Sequence, residues 1–107
     1  MAGAKLIVLY PRPTNIDVFE KLYQEEHNPM AMKNLVGKTK VVETKMVASL
    51  EGTPPYYRMA EIHFPSMEAL GACAATAGTQ AVLNHAQKIS TGGKPAFVIA
   101  EEQTVAL

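Results

Sequence analysis

The sequence predicts an α+β domain in which a four-stranded antiparallel sheet has helices packed on one face only. Four short segments rich in β-branched and aromatic residues are separated by two longer segments with helical periodicity, in the order β-α-β-β-α-β. A short loop dense in glycine and proline, Glu51 to Pro55, joins the two middle strands as a hairpin. The length of 107 residues fits a single domain, whose core we expect over about residues 4–105.

Composition excludes several classes of partner. Ten basic residues balance ten acidic ones and form no basic stripe, which argues against nucleic acid and against an anionic membrane surface. The single cysteine, Cys73, cannot form an intrachain disulfide, so a reducing compartment fits. The sequence shows neither a secretory leader pattern nor an apolar run of the roughly 20 residues that a spanning helix needs. We therefore expect a cytoplasmic protein.

The first strand is predicted from Lys5 to Tyr10, an apolar run that ends at Pro11. Thr14 or Asn15 is a suitable N-cap for the helix that follows, and Asp17 places a negative charge in its first turn.

One face of this first helix is formed by apolar and aromatic residues at helical spacing. That face comprises Ile16, Phe19 and Tyr23, followed by Glu26 and His27. Because Pro29 disfavours α geometry at Asn28, the helix is predicted to end near His27. A second apolar group, beginning at Met30, could be a loop or a further helical turn packed on the core.

The second strand is predicted from Lys40 to Leu50 and the third from Tyr56 to Phe64. In the third strand, alternation puts Ala60, Ile62 and Phe64 on the core face. The opposite face should present Tyr57, Met59, Glu61 and His63.

The second helical segment is predicted to begin at Ser66, an N-cap residue, and to run as an alanine-rich helix. Gly78 and Thr79 are expected to interrupt this segment, which resumes through Ile89. Cys73 is expected to be a small buried apolar residue, and His85 to be exposed. The last strand is predicted from Ala96 to Val105.

This element order is the split β-α-β, or ferredoxin-like, arrangement. The helices cover one sheet face, and the other presents a mixed apolar and polar surface that is unfavourable to leave in water. A second copy stacked on that face, giving a two-fold homodimer, is the predicted solution. A pocket is then expected between the sheet and the end of the first helix.

The chain resembles the EthD family, named for ethyl tert-butyl ether degradation, of the dimeric α+β barrel superfamily. Four features support the resemblance: the opening KLIVLYPRP, the spacing Tyr23-x-x-x-His27-x-Pro29, the step Pro55-Tyr56, and Phe64-x-Ser66-x-Glu68-Ala69. The resemblance implies a homodimer with a pocket near the histidine that ends the helix. The family's named member is an auxiliary of a degradation operon led by a cytochrome P450. Related barrels include cofactor-free quinol monooxygenases, muconolactone isomerases and polyketide cyclases.

His27 is the main candidate for a catalytic residue, with Tyr23 one turn earlier on the same face. At a helix C-terminus and near Glu25 and Glu26, His27 is expected to have a pKa close to neutral or higher. An acid/base beside a phenol suits proton delivery or ketone enolisation. The alternative is structural: His27 caps the last carbonyls of the helix and packs on Pro29.

Further residues are candidates for lining a substrate pocket. They are Tyr10, Met30, Tyr57, Met59, Glu61 and His63. Glu61 and His63 point to the same side and could form a proton relay or a polar patch at the dimer interface. As metal ligands they would need a third partner, for which His27 is the candidate, and the spacing does not support this. No cofactor-binding motif is present, so neither a metal nor a cofactor is expected.

The sequence therefore predicts a homodimeric, EthD-like protein that binds a small, largely apolar organic molecule. If it is an enzyme, cofactor-free proton transfer, cyclisation or oxygenation is expected, in a degradation or secondary-metabolism pathway. The competing hypothesis is a non-catalytic accessory protein, carrier or dimeric binding module. The substrate lies beyond the sequence.

Overall fold

The computed structural model describes residues 3–107. The strands are β1 (Gly3–Pro11), β2 (Lys40–Lys45), β3 (Tyr56–Phe64) and β4 (Ala96–Glu102). The helices are α1 (Ile16–Leu22), α2 (Asn28–Asn34), α3 (Met67–Ala74) and α4 (Ala77–Ile89), and a π-helical turn (Tyr23–His27) joins α1 to α2. Across this described part of the chain, every helix is too short or too polar to cross a lipid bilayer.

The four strands form one sheet in the order β2-β3-β1-β4, and all neighbours are antiparallel. This arrangement confirms the predicted ferredoxin-like α+β fold. The predicted bounds of β3 are confirmed, and Asn15 and Ser66 act as the predicted N-caps through their side-chain oxygens.

The core lies between the helices and one face of the sheet. It includes the following buried residues: Ala4, Val8, Tyr10, Phe19, Tyr23, Ala60, Ile62, Phe64, Leu70, Val82, Ala86 and Ile89. The opposite face, which we call the open face, has no helix over it. Its register brings together Ile7, Leu9, Val42, Met59 and Val98 with the polar residues Lys5, Glu61 and His63.

Two strands are shorter than predicted. β2 ends at Lys45 rather than Leu50, and Lys45 pairs with Arg58 of β3. β4 ends at Glu102 rather than Val105, and Glu102 lies opposite Gly3 of β1. Local propensity alone does not determine where a strand ends.

The prediction that the first helix ends near His27 is wrong, because the chain stays helical to Asn34. Asn28 has α-helical angles (φ −59°, ψ −47°) despite the proline that follows, and its N–H bonds to the carbonyl of Tyr23, five residues back. A proline ring clashes with the carbonyl four residues earlier, and a π-helical turn widens the backbone at that point. Pro29 then occupies the first turn of α2, where its missing N–H costs little.

The second helical segment breaks two residues earlier than predicted. Thr76, not Gly78, caps α4, and its hydroxyl accepts a hydrogen bond from the N–H of Thr79 at 3.1 Å. Cys73 is buried as predicted, and its carbonyl accepts the Thr79 hydroxyl at 2.7 Å.

Candidate functional site

Aromatic rings from α1 and the π-helical turn form a continuous column on the core face. Phe19 stacks on Tyr23 with ring centroids 5.4 Å apart, and Tyr23 stacks on His27 at 5.8 Å. Tyr10 of β1 meets all three rings edge-on, at 5.3 to 6.3 Å. The four-residue spacing that predicted one helix face thus persists through the π-helical turn and places His27 in the core.

A chain of hydrogen-bonding groups leads from Tyr10 toward the surface. The Tyr10 hydroxyl lies 3.2 Å from Nε2 of His27, and Nδ1 of His27 lies 2.9 Å from Nδ1 of His85 on α4. Nε2 of His85 lies 3.4 Å from a carboxylate oxygen of Glu26. The two imidazole planes are within 9° of parallel, with centroids 5.2 Å apart. Their contact is therefore an in-plane hydrogen bond between ring nitrogens.

The expected pKa of His27 is wrong in direction. His27 is 6% exposed and lies in the interior of a continuous helix, so no C-terminal dipole favours its charged form. Burial, followed by the nearby His85, lowers the pKa of His27 to about 4. The imidazole is therefore neutral at pH 7, which makes it a proton acceptor. Its alternative role, capping the last carbonyls of a helix, is excluded by the same continuity.

His85 was predicted to be exposed, and this is wrong, because its side chain is only 12% exposed. The sequence held a signal for its position. Val82, His85, Ala86 and Ile89 follow the i, i+3, i+4, i+7 spacing of a buried helix face, and the other three are core residues. Glu26, the last of these hydrogen-bonding groups, was predicted to share the apolar helix face with His27, but its side chain is 59% exposed.

The phenols beside His27 are held neutral. Burial raises the pKa of both Tyr10 and Tyr23, and the charge of Glu43 adds to this effect. The Tyr23 hydroxyl makes no hydrogen bond of 3.5 Å or less within residues 3–107, although Glu43 lies near enough to influence its pKa. Tyr10 therefore contacts His27 through its hydroxyl, and Tyr23 contacts it through its ring.

A small apolar cavity adjoins these groups, between the sheet and helices α2 and α4. Its volume is about 20 Å³, enough for one water molecule. Its wall includes Leu6, Val8, Tyr10, Tyr23, His27 and Ile62.

Beside the cavity, between α2 and β2, lies an open groove of about 580 Å³. Asn28, Met32, Val41 and Glu43 line both spaces. The Asn28 amide donates to the Glu43 carboxylate at 3.1 Å and so bridges the helix and the edge strand where the two spaces meet. The cavity and the groove thus adjoin at four shared residues, one of which is a flexible methionine.

The polar candidates on β3 form a second cluster, on the opposite side of the sheet. Lys5 contacts Glu61 at 2.5 Å and Glu102 at 3.1 Å, and Nδ1 of His63 lies 3.9 Å from Glu102. These ion pairs raise the pKa of Lys5 and lower that of Glu102.

His27 cannot join Glu61 and His63 as a third metal ligand, because β alternation turns the two strand residues away from it. Potential ligand atoms of Glu61, His63 and Glu102 do lie within 4.8 Å of one another. The Lys5 ammonium already compensates both carboxylates there, so this set is poorly suited to a cation.

Tyr57 does not lie on the open face as predicted. The register of β1 and β3 shifts so that Tyr10 pairs with Arg58 and Pro11 with Tyr56, which leaves Tyr57 unpaired. This bulge turns Tyr57 toward the helices, where it meets Phe19 with ring centroids 5.8 Å apart.

The eight predicted site residues therefore separate into groups. The structure brings Tyr10, Tyr23 and His27 together beside the cavity and places Tyr57 at the far end of the same aromatic core. Met30 packs partly buried on that core from α2. Met59, Glu61 and His63 lie on the open face, so they do not share a pocket with His27 within one chain. Their roles stay predictions.

Comparison with known proteins supports the fold and a family. Residues 6–101 match the family model described as Domain of unknown function (DUF1330). A solved EthD family protein from Bacillus halodurans C-125 is 28% identical, with a TM-score of 0.85, over 94% of this chain and 99% of that one. This similarity confirms the resemblance to EthD proteins. No curated protein matches the sequence.

Two more distant structures share the fold alone. An EthD-like protein from Ralstonia eutropha JMP134 is 20% identical, with a TM-score of 0.68 over 94% of this chain and 91% of that one. A protein from Jannaschia sp. CCS1, described as dimeric, ferredoxin-like and of unknown function, is 16% identical, with a TM-score of 0.65 over 95% and 100%.

Proposed function

We propose that this chain, which belongs to the DUF1330 family, is a homodimer that binds a small, largely apolar organic molecule and moves a proton at His27. The family's description assigns no activity, so the proposal is based on the chemistry of the site. One observation supports this most directly: a neutral, buried imidazole is hydrogen-bonded to a phenol at the wall of an apolar cavity. A buried polar pair of this kind is costly to maintain in a core, which favours a functional explanation.

The ligand's character follows from the walls around the site. The cavity is lined mainly by aliphatic and aromatic carbon, so a ligand would gain most of its affinity by burying apolar surface. The cavity itself is too small for an organic molecule. We propose that the ligand occupies the groove beside α2 and β2 and enters past Met32 and the Asn28–Glu43 hydrogen bond.

The proposed reaction is cofactor-free proton transfer. With a pKa near 4, His27 is uncharged at neutral pH and accepts, through the Tyr10 hydroxyl, a proton that comes from an enolisable carbonyl compound or a hydroxylated aromatic. Tyr10 supplies the adjoining phenol, and Tyr23, predicted as the catalytic partner, supports the imidazole face by stacking. A cofactor-free cyclisation or oxygenation that proceeds through an enolate or phenolate begins with this deprotonation.

A direct test is deuterium exchange into small apolar ketones, such as cyclohexanone, followed by proton NMR in deuterated buffer. We expect the wild type to accelerate exchange over buffer, and His27→Phe, which keeps a ring in the stack, to lower the rate by about 10²-fold or more. Lys88→Phe, at an exposed position of α4, is the control and should retain the wild-type rate. Equal exchange by wild type and His27→Phe would refute the catalytic role.

The second candidate is a non-catalytic binding module, and the small volume of the cavity favours it. A non-catalytic binding module would bind an apolar probe such as 2-naphthol saturably and would show no deuterium-exchange activity. Under this alternative, His27→Phe changes the binding constant only through shape, and Asn28→Ala, which opens the groove toward the cavity, strengthens binding.

The homodimer is proposed to form through the open face. That face exposes apolar residues from all four strands around the Lys5 ion pairs, and burying it would remove that apolar surface from water. A solved protein of the same fold is described as dimeric, which supports a dimer of this chain. In such a dimer, Met59, Glu61 and His63 are interface residues.

A further inference from the structure

We propose that His85 and Glu26 are positioning residues that fix the proton of His27 on Nδ1, and that together with Tyr10 they form a path by which a proton leaves the buried site. The proton positions follow from the hydrogen-bond geometry together with the charge of the Glu26 carboxylate. The use of the path rests on the proposed function.

The contact between the two histidines restricts the possible protonation states. Nδ1 of His27 and Nδ1 of His85 are 2.9 Å apart, so one of them must donate and the other accept. If both were protonated, two N–H groups would face each other. If neither were, two lone pairs would do so. The pair is therefore a single N–H···N hydrogen bond whose direction remains to be decided.

The Glu26 carboxylate decides that direction. An ionised carboxylate only accepts, so in a neutral His85 ring the proton lies on Nε2, which faces Glu26 at 3.4 Å. Nδ1 of His85 is then a lone pair, and Nδ1 of His27 must donate to it. Nε2 of His27 is consequently unprotonated, and the Tyr10 hydroxyl, 3.2 Å away, donates to it. Each hydrogen bond in the chain thus follows from the preceding one.

Exposure increases steadily along the same chain. Tyr10 is 0% exposed and His27 is 6% exposed. The side chains of His85 and Glu26 are 12% and 59% exposed. The carboxylate is therefore in contact with water, while the rings behind it are sheltered. On the cavity side, the charge of Glu43 acts on the Tyr10 phenol.

A proton moves along these hydrogen bonds without any change in the number of protons on Tyr10, His27 or His85. The Tyr10 oxygen receives a proton from the ligand and passes its own to Nε2 of His27. His27 passes its Nδ1 proton to His85, which passes its Nε2 proton to Glu26, and water removes it. The ligand is left as an enolate or phenolate, and each ring has exchanged one tautomer for the other. The ligand class is therefore one with an acidic C–H or O–H group.

The test is the tautomer of each histidine, read from the nitrogen chemical shifts of ¹⁵N-labelled protein at pH 7.5. We expect His27 to be protonated on Nδ1 and His85 on Nε2. Glu26→Gln removes the charge from an exposed position without threatening the fold, and its amide can donate as well as accept. We expect this variant to lower the Nδ1–H to Nε2–H ratio of His27 by about fivefold. Glu25→Gln, the adjacent exposed residue, is the matched control and should leave the ratio unchanged.

Two results would overturn the inference: a wild-type His27 protonated on Nε2, or a Glu26→Gln variant with unaltered tautomers. Neither depends on a substrate. If the tautomers are as expected but no ligand binds or exchanges, the positioning role stands and the proposed function fails. If exchange occurs in wild type and is unaffected in Glu26→Gln, the path through Glu26 is wrong while the role of His27 stands.

Discussion

Nδ1 of His27 and Nδ1 of His85 lie 2.9 Å apart, although 58 positions separate the two residues in the chain. The π-helical turn before Pro29 directs His27 into the core, and the buried face of α4 directs His85 toward it. This contact joins an apolar cavity to an exposed carboxylate and is the central feature of the candidate site.

Stability should fall as pH is lowered through the range where unfolded histidine takes up its proton. The pKa of His27 is about 4 in the fold and 6.5 in its ordinary state, so the unfolded chain binds the proton more tightly. The contribution of neutral His27 is complete above about pH 6.5 and is lost progressively toward pH 4. Urea denaturation measures the free energy of unfolding at pH 7.5 and at pH 4.5. Between these two pH values, His27→Phe should lose about 2 to 3 kcal/mol less of this free energy than wild type does. Equal losses would show that His27 is accessible to protons in the folded state.

The two phenols that stack around His27 should respond differently to removal of the hydroxyl. Tyr10→Phe deletes the donor to Nε2 of His27 and should lower the free energy of unfolding by about 1 kcal/mol. Tyr23→Phe deletes a buried hydroxyl without a hydrogen-bond partner among the described residues, so its effect should stay within about 0.5 kcal/mol. Thermal or urea unfolding of the pair at pH 7.5 measures the difference, and a larger loss for Tyr23→Phe contradicts it.

Arg58 should be the most costly charged residue of the fold to remove alone. It donates to Glu20 from Nε at 3.1 Å and from Nη2 at 2.6 Å, and it lies 5.1 Å from the centroid of the Tyr23 ring. Arg58→Met leaves a partly sheltered carboxylate uncompensated, which should cost about 2 kcal/mol after allowance for solvent screening. The double variant Glu20→Gln with Arg58→Met should recover a large part of this loss. Strict additivity of the two changes would show that the pair is not coupled.

Substitution of two glycines by alanine should change the stability of the fold in opposite directions. A Cβ at Gly92 would lie 1.8 Å from the carbonyl oxygen of Arg12, so the loop before β4 would have to move. Gly71 lies on the exposed face of α3, and a Cβ there meets nothing within 4 Å. We expect Gly92→Ala to destabilise by about 2 kcal/mol or more and Gly71→Ala to stabilise by about 0.5 to 1 kcal/mol. Melting temperatures that shift in the same direction would contradict the described loop or helix.

The proposed dimer predicts that a charge introduced on the open face weakens the association of the two chains. Leu9 lies there between Met59 and Ala96, so Leu9→Glu would place a charge among apolar side chains at the interface. Light scattering across a dilution series should show that this variant dissociates at a concentration at least about tenfold higher than wild type does. Val18→Glu, at an exposed position of α1, is the control and should leave the association unchanged. A wild type that is monomeric at micromolar concentration removes the dimer from the proposal.

The order of elements, the N-caps at Asn15 and Ser66 and the extent of β3 were predictable, because short-range periodicity and capping chemistry determine them. The column of Tyr23 and His27 was predictable for the same reason.

The end of the first helix was not predictable from Pro29. A π-helical turn stabilised by core packing outweighs the preference of the residue before a proline for non-helical backbone angles. The bulge at Tyr57 was missed because it depends on register with β1.

The sequence by itself determined which helix face is buried and which residue types line it, since these follow from spacing along the chain. Only the tertiary structure decided that His27 meets His85 and Tyr10, and that Glu61 and His63 lie across the sheet from them. Contacts between distant segments depend on strand register and helix docking, and these are properties of the packed whole. The chemistry of the site therefore becomes visible only once β1 and α4 are placed beside the helix that contains His27.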